Sequence, residues 1–104
     1  RKAPVIIAVV TERSRYITTL AGYFRGVQYS LIDIGIACSY LMLQAGEEGL
    51  GACWLGWFDE KAVKRILGIP DDKKVDVMLS LGYPQNQALR EKKRKTLDEI
   101  RRFV

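Results

Sequence analysis

The chain opens with an unbroken β-branched run, APVIIAVVT at 3–11, bounded by Pro4 and a polar segment. A strand without polar alternation is expected to be covered on both faces. Residues 12–26, ERSRYITTLAGYFRG, mix polar and aromatic side chains, with Gly22 and Gly26 as breakers, and read as a loop with one short helical turn. The clearest element begins at Ser30. Ser30-x-x-Asp33 matches a helix-capping pattern, with Asp in place of the usual Glu, and the run LIDIGIACSYLMLQAGEEG carries the helix to Gly49, which supplies a left-handed C-terminal cap. Apolar side chains occupy almost its whole circumference from Leu31 to Leu43. Such a helix is buried on several sides, in a large core or under a partner subunit. Its small positions, Gly35, Ala37 and Ala45, permit a neighbour to approach closely, and ordinary core packing explains them equally well.

Leu50 to Phe58, LGACWLGWF, reads as a short strand running into a loop. Asp59 caps a second helix with Ala62, Val63, Ile66 and Leu67 as its apolar stripe, Gly68 ends it, and Ile69-Pro70-Asp71-Asp72 makes the turn. From Lys74 to Tyr83 the pattern alternates, with Val75, Val77, Leu79 and Leu81 on one face and Asp76, Met78 and Ser80 on the other. Gly82-Tyr83-Pro84 closes that strand. The order strand, helix, strand, helix, strand, basic tail predicts a layered arrangement of helices on a sheet. No internal repeat or low-complexity linker interrupts it.

At 104 residues and 48% hydrophobic, the chain holds one domain at most. Its ten aromatics and 28% charged content exclude disorder. No apolar run approaches the roughly 18–20 residues of a membrane span, and the N-terminus lacks a secretory pattern. The default expectation is a cytoplasmic chain with no membrane partner. Cys38 and Cys53, fifteen apart in apolar stretches, match neither a redox pair nor a metal site, and the sequence has no histidine. Metal ligation, triad chemistry and histidine general-base schemes are thereby set aside. Two buried, reduced thiols are expected.

Charge is uneven. Of the net +5, residues 90–102 hold seven Lys/Arg against three Asp/Glu, whereas residues 1–89 hold ten against nine. Clustered cations bind phosphate, and a solvated charge run is the plainer reading. Nucleic acid fits poorly, because aromatics are not interleaved with the cations. In 49–84, glycines in and beside a strand expose backbone to which a planar ligand can come close, with Trp54, Trp57 and Phe58 as walls. On spacing alone, core aromatics and turn glycines are the stronger reading.

The ordered string changes this balance. KAPVIIAVV, then DIGIACSYLMLQAGEEGLGACWLGWFDEKAVKRILGIPDDKKVDVMLSLGYP, then the basic tail, resembles the latter part of a nitroreductase-family chain across residues 2–104. The resemblance implies an α+β fold, a mixed β-sheet flanked by helices. Residues 1–104 would be the C-terminal portion of a single such domain, ending in a basic arm at 90–104. It implies an FMN-dependent oxidoreductase, dimeric with itself, that takes hydride from NAD(P)H and passes it to nitroaromatic, quinone or enone acceptors. The cofactor carries the chemistry in such enzymes, so no catalytic side chain is assigned. The alternative is a non-catalytic module of the same family that binds flavin or a partner.

Residue by residue, the resemblance places Leu55, Gly56 and Trp57 beside the isoalloxazine ring. Many members have Gly-Gly or Glu-Gly where this chain has Gly56-Trp57, so the indole is expected to narrow the acceptor pocket. Lys92 and Arg94 align with the cations that grip the FMN phosphate, with Lys93 as the register-shifted alternative. Leu97, Ile100 and Phe103 would dock the arm beyond them. The Arg-Ser-x-Arg type motif of the family's first helix has no match here. Together with a start on Arg1-Lys2-Ala3-Pro4 and no initiating Met, this implies a piece of a longer protein.

Overall fold

The computed structural model describes residues 3–12, 22, 24, 26–86 and 91–104. Three strands form one sheet: β1 (Val5–Thr11), β2 (Gly51–Leu55) and β3 (Lys74–Gly82). Their order is β1-β3-β2, with β3 antiparallel to both neighbours. The alternation read at 74–83 explains why β3 takes the centre. Val75, Val77 and Leu79 are its fully buried side chains, and a central strand needs partners on both edges and cover on its apolar face. Most of the loop at 12–26 lies outside the described residues.

Helix α1 (Tyr29–Glu47) lies against that face. Ile34 and Cys38 join Val77 and Leu79 in the core, with Ile7, Val9, Leu41 and Met42 packed around them. The spacing 34, 38, 41, 42, 45 is a single helical stripe. Only Ala45 of the three small positions is buried; Ala37 is exposed, and a side chain at Gly35 would meet nothing within 4 Å. The helix cap lies two residues before the expected one. Gln28 is the N-cap and Ser30 already lies inside the helix, so its hydroxyl caps nothing. At the other end the expectation holds. Gly49 has φ 71°, Leu50 N–H donates to Ala45 O at 2.8 Å, and Gly49 N–H donates to Gly46 O at 3.1 Å. This pair of bonds is the Schellman motif, open to glycine because the left-handed region carries a Cβ penalty.

Helix α2 (Glu60–Leu67) is bracketed as expected. Asp59 accepts the Ala62 N–H at 3.1 Å, Gly68 has φ 65°, and Ile69 N–H closes on Lys64 O. None of its residues is buried. A one-turn helix, α3 (Leu97–Ile100), which the sequence reading did not anticipate, sits in the arm. Thr96 and Glu99 form a reciprocal capping box there.

Two expectations about cover are corrected. Strand β1 was expected to be covered on both faces, yet it is a sheet edge with Val5, Ile6 and Val10 exposed. Leu97, Ile100 and Phe103 were expected to dock the arm, yet all three are exposed and none joins the core of the described residues. The surplus is measurable. The chain presents 9819 Å², against about 5,900 Å² for a folded monomer of its 11.8 kDa. Its radius of gyration is 17.3 Å, against about 13 Å for a compact chain of this length. Much of the excess is apolar: α1 shows Ile32, Ile36, Tyr40 (70% exposed) and Leu43 (71%) on the side away from the sheet.

Candidate functional site

Where β2 ends, the chain leaves the sheet. Leu55 is its last residue in register with β3, opposite Met78. Gly56 and Trp57 follow with no hydrogen-bond partner for their backbone groups among the described residues. Because β2 is an edge strand of the described sheet, its outer side likewise has no strand partner among the described residues. The Trp54 indole leans over Gly56, its Nε1 3.9 Å from where a Cβ would stand. Trp57 is wholly exposed, at 101%, and Phe58 is half-buried. An open strip of peptide therefore lies between two indoles, able to donate and accept hydrogen bonds to the rim of a flat heterocycle.

The turn ends at α2, whose N-terminus is held by charge. Glu60 accepts the Val75 N–H at 3.0 Å and Lys74 Nζ at 3.2 Å, with Lys64 Nζ at 3.4 Å one turn on. These bonds, led by the Val75 N–H, hold its carboxyl down at about 2. The sequence reading passed over Glu60. Its partner lies fifteen residues away on another strand, and no local pattern marks such a contact.

The basic arm is separate. Lys92, Lys93, Arg94 and Lys95 are exposed and carry no acidic partner among the described residues. Farther along, Arg101 is engaged locally, donating to Asp98 at 2.8 and 3.1 Å while stacking 5.3 Å over Phe103. Glu99 is lowered by the Thr96 N–H and hydroxyl that it accepts. No described hydrogen bond or ion pair links Lys92 or Arg94 to Leu55, Gly56 or Trp57. Sequence reasoning grouped these five residues, and among the described residues no direct bond joins the two sets.

Two open clefts indent the described surface. One of about 560 Å³ lies beyond the other end of β2, by Gly51, Gly82 and Pro84. Another of about 1310 Å³ opens between Thr11, Asp33 and Lys64. Neither is lined by Leu55–Trp57 or by the arm. Cys38 is buried, and that burial pushes its thiol up; Cys53 is exposed rather than buried as expected. No group of acidic or cysteine side chains among the described residues is arranged to hold a metal. No described helix is long and apolar enough to cross a membrane.

The sequence profile of the nitroreductase family matches residues 1–83. The chain belongs to the nitroreductase family. Among solved structures, this nitroreductase-family chain is similar to a family protein from Clostridium novyi NT. That match has 31% identity and a TM-score of 0.68, covering 83% of this chain and 46% of the other. An FMN-dependent nitroreductase from Clostridium difficile R20291 matches at 25% identity and a TM-score of 0.60, over 93% and 53%. Among curated proteins, an iodotyrosine deiodinase of Thermotoga neapolitana is 27% identical over 86 residues, 83% of this chain and 40% of its own length. The chain thus spans less than half the length of the curated relatives it matches. The family match confirms the α+β fold; the sheet was expected to be mixed, and its three described strands are antiparallel.

Proposed function

We propose that this chain supplies the flavin-facing strand and the phosphate-binding arm of an FMN-dependent oxidoreductase that acts as a homodimer. The observation that carries the proposal is the open backbone at Gly56 and Trp57, without a partner among the described residues just past Leu55, where β2 leaves the sheet of a nitroreductase-family chain. FMN fits these residues chemically. Its ring presents donors and acceptors on one rim, matching peptide groups beside a glycine that have no partner among the described residues, and its phosphate matches the exposed cations Lys92 and Arg94. Lys93 is the alternative partner.

Bound there, the flavin would accept hydride from NAD(P)H and release it to a nitroaromatic, quinone or enone. This chain's own residues bind and orient. Gly56 gives access, Leu55 and Trp57 offer backbone groups, Trp57 limits what approaches, and the arm neutralises phosphate. No proton-transfer side chain is assigned.

Surface area supports assembly. An obligate dimer interface buries about 1,000–2,500 Å² per subunit, and the apolar back of α1 suits it. The roughly 3,900 Å² of surplus surface exceeds that, so further polypeptide is expected over the sheet as well. A cytoplasmic setting fits the free thiols of Cys38 and Cys53.

The test is an absorbance spectrum of the natural protein after FMN loading and desalting. Retained flavin, with bands near ~450 nm bleached by NAD(P)H, is the expected outcome. Retained flavin that no nicotinamide bleaches would instead favour a non-catalytic binding module. Absence of retained flavin would overturn the proposal.

A further inference from the structure

Helix α2 carries the turn Gly56–Asp59 at its front, yet it buries none of its eight residues, and Ile66 and Leu67 stay exposed. Apolar packing holds the helix, and the turn with it, only through the half-buried Ala62 and Val63. Polar bonds do the rest, and Glu60 makes most of them. One oxygen accepts the Val75 N–H at 3.0 Å and the other accepts Lys74 Nζ at 3.2 Å. Past Leu55 the β2 ladder has ended, and Glu60 takes over as a partner of β3. The turn is consequently fastened at both ends to one strand, at Met78 through Leu55 and at Val75 through Glu60, three positions apart.

We propose that Glu60 is a positioning residue that clamps the front of α2 to the start of β3 and thereby holds the Gly56–Trp57 backbone in the attitude that receives flavin. The inference rests on the flavin reading above. Lys64 reinforces the clamp twice, from Glu60 at 3.4 Å and by donating to Asp71 O at 3.3 Å. A charge-assisted bond to a backbone N–H is among the stronger single contacts a surface carboxylate makes. With the carboxylate removed, the Val75 N–H loses its acceptor and α2 is free to tilt, carrying Trp57 with it.

The experiment uses the natural protein, unaltered and as Glu60→Ala, Glu60→Gln and Lys74→Met. FMN affinity is read by flavin fluorescence, protection of the Gly56 and Trp57 amides by hydrogen exchange of the FMN-saturated protein, in which the flavin is their partner, and folding by circular dichroism. Glu60→Ala is expected to weaken FMN binding about tenfold and to speed exchange at both amides, the loss of one strong bond translated into affinity. Glu60→Gln keeps a carbonyl oxygen for the Val75 N–H and should recover most of both. Unchanged affinity and exchange in a folded Glu60→Ala protein would overturn the clamp. If Glu60→Ala fails to fold, Lys74→Met decides, since it removes one contact and leaves the Val75 bond. Faster Gly56 and Trp57 exchange in folded Lys74→Met supports the clamp, and wild-type exchange overturns it. An unaltered protein that takes up no FMN would overturn the flavin reading itself, a result separate from any difference among the variants.

Discussion

Thr11 donates its hydroxyl to the Asp76 carboxylate at 3.0 Å across 65 positions of sequence, at the point where β3 carries one residue more than β1. Val9 faces Val77 and Val10 faces Val75, so Asp76 is the extra residue of a bulge. The bulge frees an acid that would otherwise oppose a valine, and Thr11 meets it at the strand's end. Removing either partner should be felt. Thr11→Val is expected to destabilise the fold by about 1 kcal/mol and Asp76→Ala by about 1–2 kcal/mol. Urea unfolding of both singles and the double variant checks the coupling, and fully additive losses would show that the bond contributes nothing.

Glu60 gives a pH dependence with a definite sign. Its folded carboxyl titrates at about 2, below the ordinary 4.5. A depressed carboxylate contributes stability that is complete above about 4.5 and lost as pH falls toward about 2. The urea midpoint of the unaltered protein should therefore drop between pH 5 and pH 3 by more than that of Glu60→Gln. Parallel curves for the two would remove Glu60 from the acid response.

The arm prediction concerns retention rather than folding. Lys92→Ala and Arg94→Ala remove exposed cations with no ion-pair partner among the described residues, so melting temperature should hold. FMN should bind about tenfold more weakly for each cation lost from the phosphate. Unchanged flavin content after desalting the double variant would take the phosphate away from the arm.

Trp57 should act on acceptors more than on cofactor. Its indole stands fully exposed beside Gly56. Trp57→Gly is expected to raise kcat/KM for bulky quinones about tenfold relative to small ones while leaving FMN affinity near that of the unaltered protein. Steady-state kinetics across a size series of quinones checks this, and an unchanged ranking would show that the indole walls nothing.

What could be read in advance follows from how local the cause was. Asp59 and Gly68 mark the ends of α2 because a cap and a left-handed glycine act within one turn. Gly49 does the same for α1. The alternation Val75, Val77, Leu79 named the core strand directly. Ser30 misled because the helix began earlier, at a backbone position no residue type announces. Strand β1 misled for the opposite reason: its apolar run describes the surroundings it is suited to, and this chain supplies only one face of them. The all-round apolar α1 made the same statement more legibly, and its exposed Tyr40 and Leu43 agree with it. For the site, Leu55, Gly56 and Trp57 came from the family resemblance, since a glycine beside a strand end is by itself more often a turn. Glu60 was not readable, because its meaning lies in Val75, across the fold.

The order β1-β3-β2 has a consequence for biosynthesis. The strand that both others need is the last of the three to be made, and Val5 must wait for Leu81. At roughly 5–20 residues per second, a ribosome leaves VIIAVVT without its partner for about 4–15 s. A short β-branched segment without charge is the kind that pairs with copies of itself when left open. Slow translation between β2 and β3, or a shortage of chaperone at that moment, should cost this chain yield well before it costs the finished protein stability.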